Sequence, residues 1–254
     1  MSVESPMLNR QTFRGVALAL RRWVCAVLCL QAIWAVAADA PADEGKAQHE
    51  TRQLIQDQAC YPRQPKDRLT PQDYRKATAH WLGMVEGAHF DSHYEAYLGG
   101  NILVQGTHKH GEYVTAGFDY TLWGLPNQPR ALAAVEQLSY RYKVAPRQKL
   151  WRMYLGVECY FMRAVKFYPD DPMPHAIYAY FLARRNRPAE ARYELMAADR
   201  EQSSEVGVNL YQAFALVELG DYKAAAGYAK RVYARGYPLP WLRERLEREG
   251  INLN

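Results

Sequence analysis

The sequence predicts an all-α fold: helical hairpins stacked into a solenoid, behind a small irregular N-terminal module. Three observations predict it. From Asp119 onward the chain breaks into amphipathic stretches of about ten to fifteen residues, separated by Pro, Gly or Asp. Within that half, one pattern of small and large apolar residues returns after 34 residues. A charged helix from Pro238 to Arg248 then follows, suited to cover the open end of a stack.

The elements in order begin with a segment that does not belong to the fold. Arg10, Arg14, Arg21 and Arg22 form a basic head, and an apolar run interrupted by Gln31 occupies 23–38. Ala35-Val36-Ala37 supplies small residues for cleavage near Ala37 and Ala38. Charge, apolar core and A-x-A in that order read residues 1–38 as a secretory signal peptide. The apolar run falls short of the ~20 residues of a spanning helix. An uncleaved anchor is the alternative, and the membrane would be met only through it. Arg21-Arg22 lacks the surroundings of a twin-arginine signal, and Cys25 and Cys29 lack the small residue that precedes a lipoprotein cysteine. The expected location is the bacterial periplasm.

Removing 1–38 takes four arginines and one glutamate, so the net charge of +5 falls to +2. A nearly neutral, exported chain excludes nucleic acid as the partner. It also keeps only Cys60 and Cys159 of the four cysteines. An oxidising compartment favours their pairing, the alternative being two buried thiols that pack as small hydrophobes.

Residues 39–58 are polar and rich in small residues, which predicts a flexible linker. The module 59–118 shows no sustained period. Thr70-Pro71 with Asp73 reads as a helix start. LGMVEGAHF, 82–90, reads as a short strand or extended piece, and Asp91 or Ser92 caps a short helix through Tyr97 that Gly99-Gly100 ends. A long loop follows. This module holds His89, His93, His108 and His110. The first two would share a helical face and the last two a strand face, and three or four imidazoles suit zinc or copper. No H-E-x-x-H frame accompanies them, and Gly106 and Gly111 flank the second pair. The expectation is therefore no metal and no cofactor, with these histidines as the candidates if one binds.

The repeat half, 119–254, is better defined. Ala179, Leu182, Ala191, Leu195 and Ala198 stand at steps of three, nine, four and three; Ala213, Leu216, Ala225, Ala229 and Val232 repeat those steps. Three and four keep residues on one helical face, and nine crosses a tight turn into a partner helix. The alanines let the two helices approach. An earlier copy shows its second helix at Val157, Phe161 and Ala164, closed by Pro169, and its first helix over 129–143. An enlarged turn at Ala145-Pro146 joins them, and 119–129 reads as the closing helix of a still earlier unit. Asp170 and Asp171 precede Pro172 as caps, and Asp119 and Asp221 likewise open helices.

This pattern resembles the tetratricopeptide family over about residues 119–236. His175 and Asn209 stand where the first-helix aromatic belongs, Ala179 and Ala213 replace the glycine, and the terminal proline occurs only at Pro169. The chain is also similar to a group of exported bacterial tetratricopeptide proteins. The segments that carry this are VEGAHF (85–90), DYTLWGLPN (119–127), RAL (130–132), ECYFMRAVKFYPDD (158–171) and GYPLPWLRERLEREG (236–250). In that group a histidine pair stands where this chain has Gln128-Pro129, so no role of that pair carries over. The resemblance implies fold and export and no reaction.

No nucleophile triad or phosphate loop stands out, and Cys159 lies in a helical apolar face. The basic run Arg141, Lys143, Arg147, Lys149 and Arg152 surrounds the enlarged turn, a solvated edge open to an acidic partner. Of the 19 tyrosines, Tyr154, Tyr160, Tyr178, Tyr180, Tyr211 and Tyr228 fall on predicted helices, some facing the concave groove. The expected function is a non-enzymatic scaffold that holds a protein or extended peptide in that groove, serving envelope, secretion or surface-polymer assembly. The alternative is a metal-binding accessory protein using the His89–His110 segment. A weaker third option is an enzyme with its site between module and repeats.

Overall fold

In the computed structural model the described residues are 60–61, 70–104 and 111–253. The predicted signal peptide, the linker 39–58, His108 and His110 lie outside them. All described residues belong to the unit Ala42–Asn254.

Thr78 opens the first helix, α1 (Ala79–Leu82), by accepting a hydrogen bond from the Trp81 amide. Thr70-Pro71 opens none; only a turn at 74–76 precedes Thr78, and the Gln72 amide there donates to the Gly124 carbonyl at 2.8 Å. From α1 the chain continues through a π-helical stretch, Gly83–Phe90, into α2 (Asp91–Leu98). The strand expected at 82–90 is therefore helix. Its buried residues, Val85 and Phe90, are five apart. That is the i→i+5 spacing of a π-helix, which matches neither the α nor the β period. Gly99 caps α2 as expected, and Gly100 at φ +80° takes the turn.

Inside the expected loop, β1 (Leu103–Val104) pairs antiparallel with β2 (Glu112–Tyr113), Leu103 facing Tyr113. Helix α3 (Val114–Gly124) follows directly. The boundary drawn at 118/119 falls inside this helix, and Asp119 sits within it instead of opening it. Asp119 is buried, accepting from the Tyr160 hydroxyl and from the Tyr154 amide at 3.1 Å. It is a tertiary acceptor that sequence position alone disguises as a cap.

Helices α4 (Pro129–Arg141) and α5 (Val157–Phe167) flank the enlarged turn. Two hairpins come next: α6 (Pro172–Ala183) with α7 (Pro188–Arg200), and α8 (Val206–Glu218) with α9 (Tyr222–Tyr233). Pro172 and Val206 open the first helices and Pro188 and Tyr222 the second, each pair 34 residues apart. Helix α6 packs on both α7 and α8, and α8 packs on α9 as well. All ten residues of the repeating pattern are buried, none more than 9% exposed. The pattern thus marks the contact faces of the helices. Asp171 and Asp221 cap α6 and α9 through the Met173 and Ala224 amides. Helix α10 (Pro240–Arg248) rests on α9 through buried Leu242 and Leu246.

One core runs through these helices, joining Phe90, Phe118 and Leu122 to Leu132, Phe161 and Leu182. A disulfide joins Cys60 to Cys159 of α5, spanning 99 residues with the Cα atoms 5.0 Å apart. The Tyr61 hydroxyl donates to the Met162 carbonyl at 2.9 Å and extends that attachment. Among the described residues no helix is long and apolar enough to cross a membrane.

Candidate functional site

Helices α4, α6 and α8, with α2 across from them, surround a cavity of about 300 Å3. Its placement follows from the repeat. Ala179 and Ala213 turn into the hairpins, and the next residue in each helix, Tyr180 and Phe214, turns into the cavity. One turn on, Tyr211 joins Phe214 three residues away on the same face. Helix α4 contributes Gln137, Tyr140 and Arg141 by the same spacing, and α2 contributes Tyr97. The rings touch in sequence: Tyr180 lies 6.0 Å from Tyr211 and 5.4 Å from Phe214, and Phe214 meets Trp241 of α10 edge-on at 5.4 Å.

The cavity wall is held by a buried charge. Glu136 has no exposed surface and accepts two hydrogen bonds from Arg184 Nη1, at 3.0 and 3.1 Å. The Arg184 guanidinium stacks 3.1 Å over the Tyr140 ring and 4.9 Å from the Tyr180 ring. Beside it, Arg185 donates to Ser139 Oγ at 2.8 Å and covers Phe181 at 3.6 Å. Burial pushes the Glu136 carboxyl up to about 7 against the opposing pull of Arg184 and Arg185. Burial also raises the Tyr180 and Tyr211 phenols, which stay protonated as hydrogen-bonding groups. The Tyr97 hydroxyl is used, donating to Gln137 Oε1 at 2.6 Å. Among the described residues the Tyr140, Tyr180 and Tyr211 hydroxyls and the Arg141 guanidinium have no hydrogen-bond partner within the chain. They leave a pocket with apolar ring faces and unsatisfied polar tips. Such a lining can meet both apolar and polar groups of a ligand.

The sequence-predicted residues fall elsewhere. His93 is buried against α3, its Nε2 3.4 Å from Glu112, and burial lowers its pKa. His89 packs its ring on Tyr120 at 3.9 Å. Both therefore serve the contact of α2 and the π-helix with α3. Among the described residues no group of three or more His, Cys, Asp or Glu side chains is placed to hold a metal ion. Asp171 caps α6 and accepts from Asn127 at 2.7 Å, while Asp170 accepts from Arg75 at 3.0 Å. Cys159 is consumed by the disulfide. Gln128 caps α4 through the Ala131 amide at 2.7 Å and donates to Glu86 of the π-helix at 2.6 Å.

Sequence reasoning named Tyr180 and Tyr211 but missed Tyr97, Tyr140, Arg184, Phe214 and Glu136. A usable signal existed, since Tyr180 and Phe214, like Arg184 and Glu218, are equivalent positions of the 34-residue repeat. A second buried network also went unread. Arg187 pairs with Glu158 at 2.6 Å and bidentately with Glu190, Tyr178 donates to Glu158, and His175 meets Glu194 at 2.5 Å. These groups join α5, α6 and α7 and lie inside the protein. Comparison of the chain with protein-family profiles, with curated proteins and with solved structures finds no match.

Proposed function

We propose that this chain is an exported, tetratricopeptide-type scaffold of the bacterial periplasm that holds an extended peptide of another protein. Its role is that of an adaptor in envelope, secretion or surface-polymer assembly, and it performs no reaction of its own. One observation carries the reading: the aromatic pocket is built from equivalent positions of successive first helices, Tyr180 and Phe214, in the register that buries Ala179 and Ala213. Stacked hairpins repeat such positions along a groove, which suits a ligand that is itself extended.

The test places a photo-crosslinking amino acid at Tyr180, at Tyr211 and, as a control, at Met196 of α7, whose side chain is exposed. Irradiation in the exporting host should give a discrete protein adduct from the two groove positions and none from Met196. A Tyr140→Ala change in the same chain should weaken those adducts. Equal labelling from all three positions would sink the reading, as would no adduct from the groove.

A further inference from the structure

A second cavity, of about 450 Å3, lies beside the first and is lined by Val144, Ala145 and Pro146 among others. Tyr140 and Arg141 line both cavities, which are therefore neighbours on one face. The second cavity lies in the enlarged turn between α4 and α5, and the charge around it is one-sided. From Gln137 to Val157 the chain has no Asp or Glu, while Arg141, Lys143, Arg147, Lys149 and Arg152 fall within that span. Among the described residues none of these five cations forms an ion pair. Elsewhere Arg75, Arg130, Arg184 and Arg187 each meet a carboxylate. The Glu136 carboxylate is buried and already holds Arg184. Of the five, Arg141 and Lys143 line the cavity and add their fields over an apolar trough.

We infer that the groove recognises an acidic peptide, with an apolar side chain seated over Val144–Pro146 and carboxylates meeting Arg141 and Lys143. This deepens the scaffold reading and rests on it. Arg141 stands at the junction of the two cavities and sets the order of contacts. An aromatic or apolar residue enters the tyrosine pocket, and acidic residues follow over the turn. The Arg141 guanidinium lines the trough with fork geometry suited to carboxylates, and Lys143 adds a point charge, while Arg185 beside them is already held by Ser139 and the Phe181 carbonyl.

The experiment uses fluorescein-labelled peptides with one frame containing Tyr and Leu, and with Glu, Ser or Lys at the flanking positions. Fluorescence anisotropy is read on the purified exported protein and on an Arg141→Glu/Lys143→Glu variant. Both residues are exposed and unpaired, so circular dichroism should match the parent. The Glu peptides should bind tightest, weaken as ionic strength rises, and lose on the order of tenfold in affinity in the variant. Ser or Lys peptides binding as tightly as Glu peptides would overturn the inference and leave the scaffold reading standing. No binding by any set would overturn both. Vesicles of phosphatidylglycerol and phosphatidylcholine form the last arm. Capture of the parent but not the variant by these vesicles, without preference among peptides, would assign the cations to a lipid surface and overturn the inference.

Discussion

Gly117 shows how one missing side chain sets the N-terminal half. A methyl group there would fall on the His89 carbonyl oxygen and the His93 ring, so α3 reaches the π-helix and α2 only because position 117 has none. Gly117→Ala should destabilise the protein by about 1–3 kcal/mol, read by urea unfolding, since the neighbour it meets is backbone as well as ring. The opposite kind of constraint acts at Glu136. Its carboxyl is held up at about 7, above the ordinary value of 4.5, so the folded state binds a proton that the unfolded chain has released. The contribution of this group to stability therefore falls as pH rises from about 4.5 to about 7, and is flat on either side. Asp73 works the other way. Burial opposes its charge, but hydrogen bonds from Arg75 and Asn127 outweigh burial and hold it at about 2, so its contribution is lost only as acid approaches that value. The two windows do not overlap. Glu136→Gln should remove the decline between about pH 5 and 7 while leaving the acid limb intact. Unfolding free energies of parent and variant across that range that differ by a constant would contradict it.

At the scale of the element, the hairpins and the short helix α2 were legible and the helical stretch before it was not. Ala179, Leu182 and Ala191 repeat at Ala213, Leu216 and Ala225 because each pair makes the same contact, and burial of all six follows. The stretch 83–90 escaped because Val85 and Phe90 follow a five-residue spacing, and Gly83 and Gly87 weaken any local helical signal. Asp119 escaped for another reason. Whether an aspartate caps a helix or accepts from a distant tyrosine depends on Tyr160, which a local window does not contain. The site divides similarly. Tyr180 and Tyr211 were visible, but Tyr97 reaches the pocket from another part of the chain, and the pairing of Glu136 with Arg184 spans 48 residues. The network of α5, α6 and α7 is the element-scale counterpart. Arg187 joins the α6–α7 connection to Glu158 in α5 and Glu190 in α7, with little of its side chain exposed. Arg187→Ala leaves those carboxylates buried without that cation and should cost about 3–5 kcal/mol. Chemical denaturation that shows less than about 1 kcal/mol would mean that water or another group compensates it.

For the molecule as a whole, the question is what fastens the chain before α1 to the hairpins after it. Residues 60–61 do so through three contacts that converge on α5: the Cys60–Cys159 bond, the Tyr61 hydroxyl on Met162 and the Tyr61 ring edge-on to Phe167 at 5.9 Å. Lys166 covers the other side of the Tyr61 ring at 4.0 Å. A cross-link closing 99 residues removes far more freedom from the unfolded chain than from the folded one, where both ends are already packed. Chain entropy for a loop of that length is worth about 4–5 kcal/mol, and native contacts around Tyr61 that persist without the bond reduce the loss. Cys60→Ser/Cys159→Ser should therefore lower unfolding stability by about 2–5 kcal/mol, with the parent losing the same amount in reductant and the variant none. The groove gives an independent reading of the same variant. Its walls are α2, α4, α6 and α8, and none of them contains either cysteine. The peptide binding proposed above, measured below the unfolding transition, should accordingly be unchanged in the variant. Loss of binding together with intact helical dichroism would show that the fastening of residues 60–61 shapes the groove as well as stabilising the chain.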